Sequence, residues 1–244
     1  MKIFVISLKD SKDRRKEMES QMKSLGLAFE FFDAIDGRQG LPNKYESMVD
    51  RKLAKKRIGA DISDSEIACA LSHALVCKKI IDENIDNAII LEDDCILGDD
   101  FAEMVKNKLC ENSGKDFIYL YHLHARAIYG SKGIFYKEYN SVKLAKVAKS
   151  TVAYYLTLKI AKELYKDSVP ISYFADWSLD LVGLFNVVAI MPRIIQHPKL
   201  ENSVLEKDRV FSKNKFGQFG FWNWLLYQIK KQFSYKISSR VEGK

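Results

Sequence analysis

No run of about 18 apolar residues occurs in the 244-residue chain, so no segment reads as a membrane-spanning helix. The amino-terminal stretch MKIFVISLKDSKDRR is apolar over too short a span for a secretory signal and turns charged at once. The four cysteines, Cys69, Cys77, Cys95 and Cys110, show neither CxxC nor Cys/His metal spacing. That argues against a disulfide framework and for reduced, mostly buried thiols in a cytosolic protein. Internal repeats and low-complexity tracts are absent, and the length suits one sizeable domain with a short appendage. Residues 1–206 also lack net charge. Residues 207–244 hold nine Lys or Arg against Asp208 and Glu242, which is the whole net charge of +7 and leaves 30 basic against 30 acidic residues before them. Any partner of the basic charge is therefore a matter for the carboxyl-terminal segment.

What is present centres on DNAIILEDDCILGDD, residues 86–100. The apolar run 88–91 predicts a short buried strand, and it ends in three successive acids, Glu92, Asp93 and Asp94. A strand apolar on both faces suits the middle of a largely parallel sheet, whose ligands bind beyond the carboxyl ends of the strands. Adjacent carboxylates repel one another and are relieved by a cation; hard oxygen ligands favour Mg²⁺ or Mn²⁺. A solvated acidic turn is the competing reading.

KIFVISL (2–8) predicts the first strand, residues 17–25 a helix stopped by Gly26, and LAFEFF (27–32) a second strand: a βαβ opening. Residues 41–60 are poorly periodic and read as a surface excursion. Ser63 to Glu66 form a capping box that opens a helix running to about Glu83. Further on, 101–109 predicts a helix, 116–122 a strand, 125–140 irregular strands or loop, 143–148 and 151–158 paired strands, 160–165 a helix broken by Pro170, and 185–191 the last core strand.

Five stretches in order resemble glycosyltransferase family 25, which includes bacterial lipooligosaccharide galactosyltransferases and collagen galactosyltransferases. They are IFVISLKDSKDRR (3–15), FFDAIDGR (31–38), SEIACALSHALVCKKI (65–80), AIILEDDCIL (88–97), and STVAYYLTLKIAKEL (150–164) with DWSLD (176–180) and QHP (196–198). The resemblance implies a GT-A type α/β domain over residues 1–206, with a Rossmann-like, mostly parallel central sheet flanked by helices. It also implies UDP-galactose as donor, Mn²⁺ or Mg²⁺ as cofactor, and inversion at the transferred sugar. Glu92-Asp93-Asp94 is similar to the DXD motif of such enzymes. By that similarity Asp94 is a direct metal ligand and Glu92 belongs to the metal site, with Glu92 and Asp93 near the ribose and metal-bound waters, and His197 is placed to complete the metal site.

An inverting transfer needs a base outside the metal cluster, because a metal-bound carboxylate is too weak a base. Asp176 is the candidate, Asp180 the runner-up, and a helix N-cap the structural alternative for Asp176. Tyr173 and Trp177 are expected to stack on an acceptor sugar, with His122 on the acceptor side. Ser7 and Leu8, ending the first strand, are expected to line the uridine pocket, with Arg14 near phosphate. Asp33 and Asp36, after the second strand, are candidates for uracil or ribose, although Asp36-Gly37 is also a common turn pair. Ser72 and His73 are placed near the donor by the resemblance.

The carboxyl-terminal segment, 207–244, carries FGFWNWLLYQIKKQF (219–233). Trp222, Trp224, Leu225 and Ile229 with Lys230 and Lys231 suggest an amphipathic helix lying on an anionic membrane surface; docking onto the core is the alternative, and nucleic acid ranks third. The expected function is transfer of galactose from UDP-galactose to a terminal sugar of a lipid-linked oligosaccharide of the lipooligosaccharide outer core, in β-1,4 linkage, at the cytoplasmic face of the inner membrane. Two alternatives remain: transfer from UDP-glucose or another hexosyl donor, and a membrane-bound nucleotide-binding protein without turnover.

Overall fold

The computed structural model describes residues 1–109, 114–198 and 220–238. In chain order the elements are β1 (Lys2–Ser7), α1 (Lys12–Ser24), β2 (Glu30–Asp33), α2 (Arg51–Ile58), α3 (Asp64–Asp82), β3 (Asn87–Glu92), β4 (Ile96–Leu97), α4 (Asp100–Met104), β5 (Phe117–Tyr119), β6 (Arg126–Ile128), β7 (Gly133–Tyr136), β8 (Tyr139–Lys143), β9 (Ala153–Thr157), α5 (Leu158–Ser168), α6 (Leu181–Leu184), β10 (Val187–Met191), β11 (Ile195–Gln196), α7 (Gly220–Gln232) and β12 (Ser234–Lys236).

Eight strands form one sheet in the order β2-β1-β3-β9-β5-β10-β8-β7. The pairings make β2, β1, β3, β5, β10 and β7 run one way and only β9 and β8 the other. The mostly parallel sheet flanked by helices is thus the observed architecture. Alternation fills both faces: Phe4, Ile6, Ala88 and Ile90 join one core, while Ile3, Val5, Ile89 and Leu91 join the other.

The capping box at Ser63 is present, with Ser63 Oγ accepting from Glu66 N at 3.2 Å and Glu66 Oε2 accepting from Ser63 N at 3.2 Å. The stretch read as a surface excursion instead contains α2, whose Ala54 and Ile58 are buried in a third cluster with α3. Gly37 belongs to this packing: a Cβ there would lie 2.3 Å from the Asp64 carbonyl oxygen, so the loop after β2 meets the start of α3 backbone to backbone. The strands expected to pair with each other across 143–158 do not. β8 pairs with β10 and β7, whereas β9 inserts antiparallel between β3 and β5.

The division at residue 206 lies outside the described residues, and of the segment after it only residues 220–238 are described, where the chain packs on the domain. β12 pairs with β6, and Ser234 and Ser238 are buried in the domain. Among the described residues Cys69, Cys77 and Cys95 form no disulfide; Cys77 and Cys95 are buried, and burial pushes the Cys77 thiol up to about 12. Cys110 lies outside the described residues.

Candidate active site

Parallel pairing of β1, β2 and β3 brings their carboxyl ends to one edge. The register sets Ser7 opposite Asp33, and Ile6 opposite Glu92, so Ser7, Asp33 and the three acids crowd the same rim. Ser7 Oγ donates to Asp93 Oδ2 at 2.6 Å. The Arg14 guanidinium, from α1, stands 3.2 Å from Asp93 and 3.4 Å from Asp94. Burial raises the Asp93 pKa, and the Ser7 hydrogen bond and Arg14 only partly oppose it.

Arg15 turns the other way. It donates to the Ser7 and Leu8 carbonyls at 2.9 and 3.1 Å, pairs with Asp33 at 2.5 Å, and stacks over Phe31. It therefore ties the ends of β1 and β2 together. Sequence reasoning missed this role: the run DRR shows two guanidiniums, but not which one faces the acids.

A two-stranded ribbon brings His197 to the acids. β4 and β11 pair antiparallel with Gln196 opposite Ile96, which carries His197 back alongside Asp94. His197 Nε2 lies 3.2 Å from Asp94 Oδ1, while its Nδ1 is 2.7 Å from the Pro198 carbonyl. That carbonyl only accepts, so Nδ1 carries a proton and Nε2 is the atom directed at the carboxylate. Burial disfavours the imidazolium, but Asp94 and then Glu92 outweigh it and raise the His197 pKa. Asp94 Oδ1 is fully buried and receives no well-formed hydrogen bond. A buried, undersatisfied carboxylate oxygen facing an imidazole nitrogen is a donor set that a divalent ion suits.

Glu92 is used differently. Its Oε1 accepts from Thr151 Oγ1 at 2.7 Å and lies 3.3 Å from His73 Nε2, whose Nδ1 is 2.9 Å from the Tyr154 hydroxyl. Burial raises the Glu92 pKa, but the His73 contact, Thr151 and the charge of His197 more than reverse it. Among the described residues no cluster of three or more His, Cys, Asp or Glu is arranged around a metal position. Asp94 and His197 form a two-member ion pair at the rim, and Glu92 braces the rim through Thr151 and His73.

Asp176 reaches the same edge from the far side. Its Oδ1 accepts from Ser150 N at 2.8 Å, and the next residue, Thr151, is the donor to Glu92. Ser150, the donor to this carboxylate, has φ +91°, and Trp177, the next residue after Asp176, has φ +52°, so both occupy sparsely populated backbone conformations. Such outliers concentrate at functional sites. The helix cap belongs to Asp180, which accepts from Gly183 N at 3.2 Å at the start of α6; Asp176 is not an N-cap. Tyr173 is half-buried, packed edge-on to Phe174 in a cleft that also takes in His73, Tyr154 and Ser178.

Three expectations are corrected. Trp177 is no acceptor platform: it is 4% exposed and packs edge-on against Phe117, Tyr119 and Tyr154 in the core. Ser72 is enclosed and fixes the loop after β2, accepting from Ile35 N at 2.9 Å and donating to the Ala68 carbonyl. His122 is enclosed too, between Ser238 Oγ at 3.0 Å and the Ile190 carbonyl at 3.1 Å. Asp36 pairs with Arg38 and accepts from its N–H, which holds its carboxyl below the usual range.

Burial pushes the His122 pKa down to about 4, against an ordinary histidine at 6.5. The unfolded chain takes up this proton first, so the group's contribution is complete above pH 6.5 and is lost as pH falls from there through about 4. That difference corresponds to about 3 kcal/mol. Urea unfolding at pH 7.5 and 4.5 checks it: the stability gap between wild type and His122→Asn should narrow markedly at the lower pH. An unchanged gap removes His122 from the acid response.

The sequence profile of glycosyltransferase family 25 (LPS biosynthesis protein) matches residues 1–179. The chain belongs to glycosyltransferase family 25. A putative glycosyltransferase of Haemophilus influenzae is 28% identical over 99% of this chain and 86% of its own length. The lacto-N-neotetraose biosynthesis glycosyltransferase LgtE of Neisseria meningitidis serogroup B is 31% identical over 50% of this chain. The lipooligosaccharide biosynthesis protein lic2B of Haemophilus influenzae is 30% identical over 39%. The chain spans 43% and 34% of the lengths of these last two relatives. The family 25 match takes in the β1–β3 rim, β9 and Asp176, and ends before His197.

Proposed function

We propose that this family 25 glycosyltransferase is an inverting, metal-dependent galactosyltransferase that moves galactose from UDP-galactose to a terminal sugar of a lipid-linked lipooligosaccharide acceptor, in β-1,4 linkage. The observation that carries the reading is the buried Asp94 Oδ1 facing His197 Nε2 at a strand-end rim, with a separate carboxylate, Asp176, one residue away from the Glu92 brace.

In this reading Asp94 and His197 hold Mn²⁺ or Mg²⁺, which supplies countercharge to the departing diphosphate. Arg14 adds a fixed positive charge on the same side. Ser7, Leu8, Asp33, Asp36 and Asp93 border the nucleoside end, with Arg15 holding the strand ends in place, and Tyr173 borders the acceptor. The acceptor hydroxyl oxygen bonds to the anomeric carbon as the bond to UDP breaks on the opposite face. Its proton passes to an Asp176 carboxylate oxygen, so charge and atoms balance and the configuration inverts.

UDP release measured with UDP-galactose or UDP-glucose, Mn²⁺, and a lactose- or glucose-terminated acceptor tests this. Acceptor-dependent release with UDP-galactose supports it. Release only from UDP-glucose replaces the donor, and silence with both donors overturns turnover.

The proposal places the enzyme at the cytoplasmic face of the inner membrane, peripherally, through α7. No helix among the described residues is long and apolar enough to cross a membrane. Trp222, Leu226, Ile229 and Phe233 are all more than half exposed and recur at helical spacing as one stripe, with Lys230 beside it. Leu225 and Trp224 are half-buried, and Lys231, about two and a half turns from Trp222, lies toward the domain near Lys146. The outward face suits an anionic leaflet. Replacing Trp222, Leu226 and Ile229 with serine is expected to shift the protein from pellet to supernatant when anionic vesicles are sedimented, while transfer to a soluble acceptor persists. Retained co-sedimentation rules out this face.

A further inference from the structure

Four cations gather where α7 meets the domain, and no carboxylate among the described residues answers them. Lys146 and Lys149 lie on the connection from β8 to β9, Arg126 on β6 and Lys231 in the last turn of α7. Lys146 Nζ sits 4.7 Å from the centre of the Tyr227 ring. Arg126 donates to the Ser234 carbonyl at 2.5 Å, to Ser234 Oγ at 3.0 Å and to the Lys231 carbonyl at 3.5 Å. These partners are neutral, and among the described residues none of the four cations is ion-paired. Other cations of the protein, such as Arg51, Lys55, Lys78, Lys79 and Lys137, each meet a carboxylate. Burial, then the charges of Lys149, Lys231 and Arg126, depress the Lys146 pKa, as expected where like charges share a partly dry site.

The place of this cluster gives it a use. Lys149 is fixed by two backbone hydrogen bonds to Leu123, both 2.9 Å. The next two residues, Ser150 and Thr151, are those that hold Asp176 and Glu92. The backbone that carries Lys149 therefore runs directly into the Asp176 side of the site.

We infer that Arg126, Lys146, Lys149 and Lys231 form a subsite for a phosphate group carried by the molecule that docks on the Asp176 side. This rests on the transferase reading for the identity of that side. Neighbouring ammonium and guanidinium groups can donate to phosphate oxygens, and the charge-assisted bonds formed there relieve their mutual repulsion. Such a group can belong to the acceptor glycan or to a lipid headgroup.

Titration of the metal-free full chain with inorganic phosphate, followed by ³¹P line width, tests the subsite. Without metal the acidic rim repels the probe. Wild type should bind, and Lys146→Gln with Lys149→Gln should bind far more weakly, by about tenfold for each lysine removed. Lys149→Gln alone, at an exposed position, guards against misfolding of the double variant and should show the single step. Binding should also weaken with added salt. Equal affinity in wild type and variants, or none in wild type, overturns the inference. A hexose phosphate that displaces the probe identifies a glycan phosphate as the source, and displacement by anionic but not neutral vesicles identifies a headgroup. Displacement by neither overturns it. UDP binding with Mn²⁺ is followed in parallel: its absence from wild type defeats the transferase reading and leaves the phosphate result standing on its own.

Discussion

Asp94→Asn should abolish the Mn²⁺ dependence of UDP binding and lower transfer by about 10²–10³ or more, the loss typical when a stabiliser of leaving-group charge is removed. Asparagine keeps the volume, so the rim is expected to fold. What disappears is the negative charge whose Oδ1 is buried without a good donor and whose Oδ2 lies 3.4 Å from Arg14. Glu92→Gln is the informative contrast. Its oxygen is taken by Thr151 and approached by His73, so it supports the site at one remove, and a loss of about 10–100-fold in metal affinity is expected. Manganese titration followed by electron paramagnetic resonance, with and without UDP, separates the two. Wild-type Mn²⁺ affinity in Asp94→Asn would remove Asp94 from the metal site.

Asp176→Asn should leave Mn²⁺ and UDP binding near wild type and cut turnover by roughly 10²–10⁴, the usual contribution of a general base. The amide oxygen can still accept from Ser150 N, as the carboxylate does at 2.8 Å. The loop is therefore preserved while the proton acceptor is lost. Single-turnover transfer measured beside UDP affinity distinguishes loss of chemistry from loss of binding. If turnover is normal, the base lies elsewhere. Asp180→Asn is the natural next variant, although that carboxylate already accepts from Gly183 N to cap α6.

Local signals determined much of this protein. Alternation and β-branched content marked β1 and β3, the Ser63–Glu66 pair marked the start of α3, and the acids after an apolar strand marked the rim, because each depends on neighbours a few residues apart. Parallel pairing then needed only the general rule that strand ends carry the ligands. What the tertiary structure decided depends on long-range contacts. Gln196 pairs with Ile96 and so delivers His197 to Asp94, about a hundred residues away, a register no local pattern encodes. Antiparallel insertion of β9 between β3 and β5 placed Thr151 on Glu92 and, through Ser150, brought in Asp176. Trp177 and His122 were expected on the acceptor side, but burial is a property of the packed whole: one fills the core under Phe117, and the other is closed off by Ser238, more than a hundred residues later. The same holds for the carboxyl-terminal segment. Its composition announced an amphipathic helix, but only the pairing of β12 with β6 fixed which face packs on the domain and which is left to a partner.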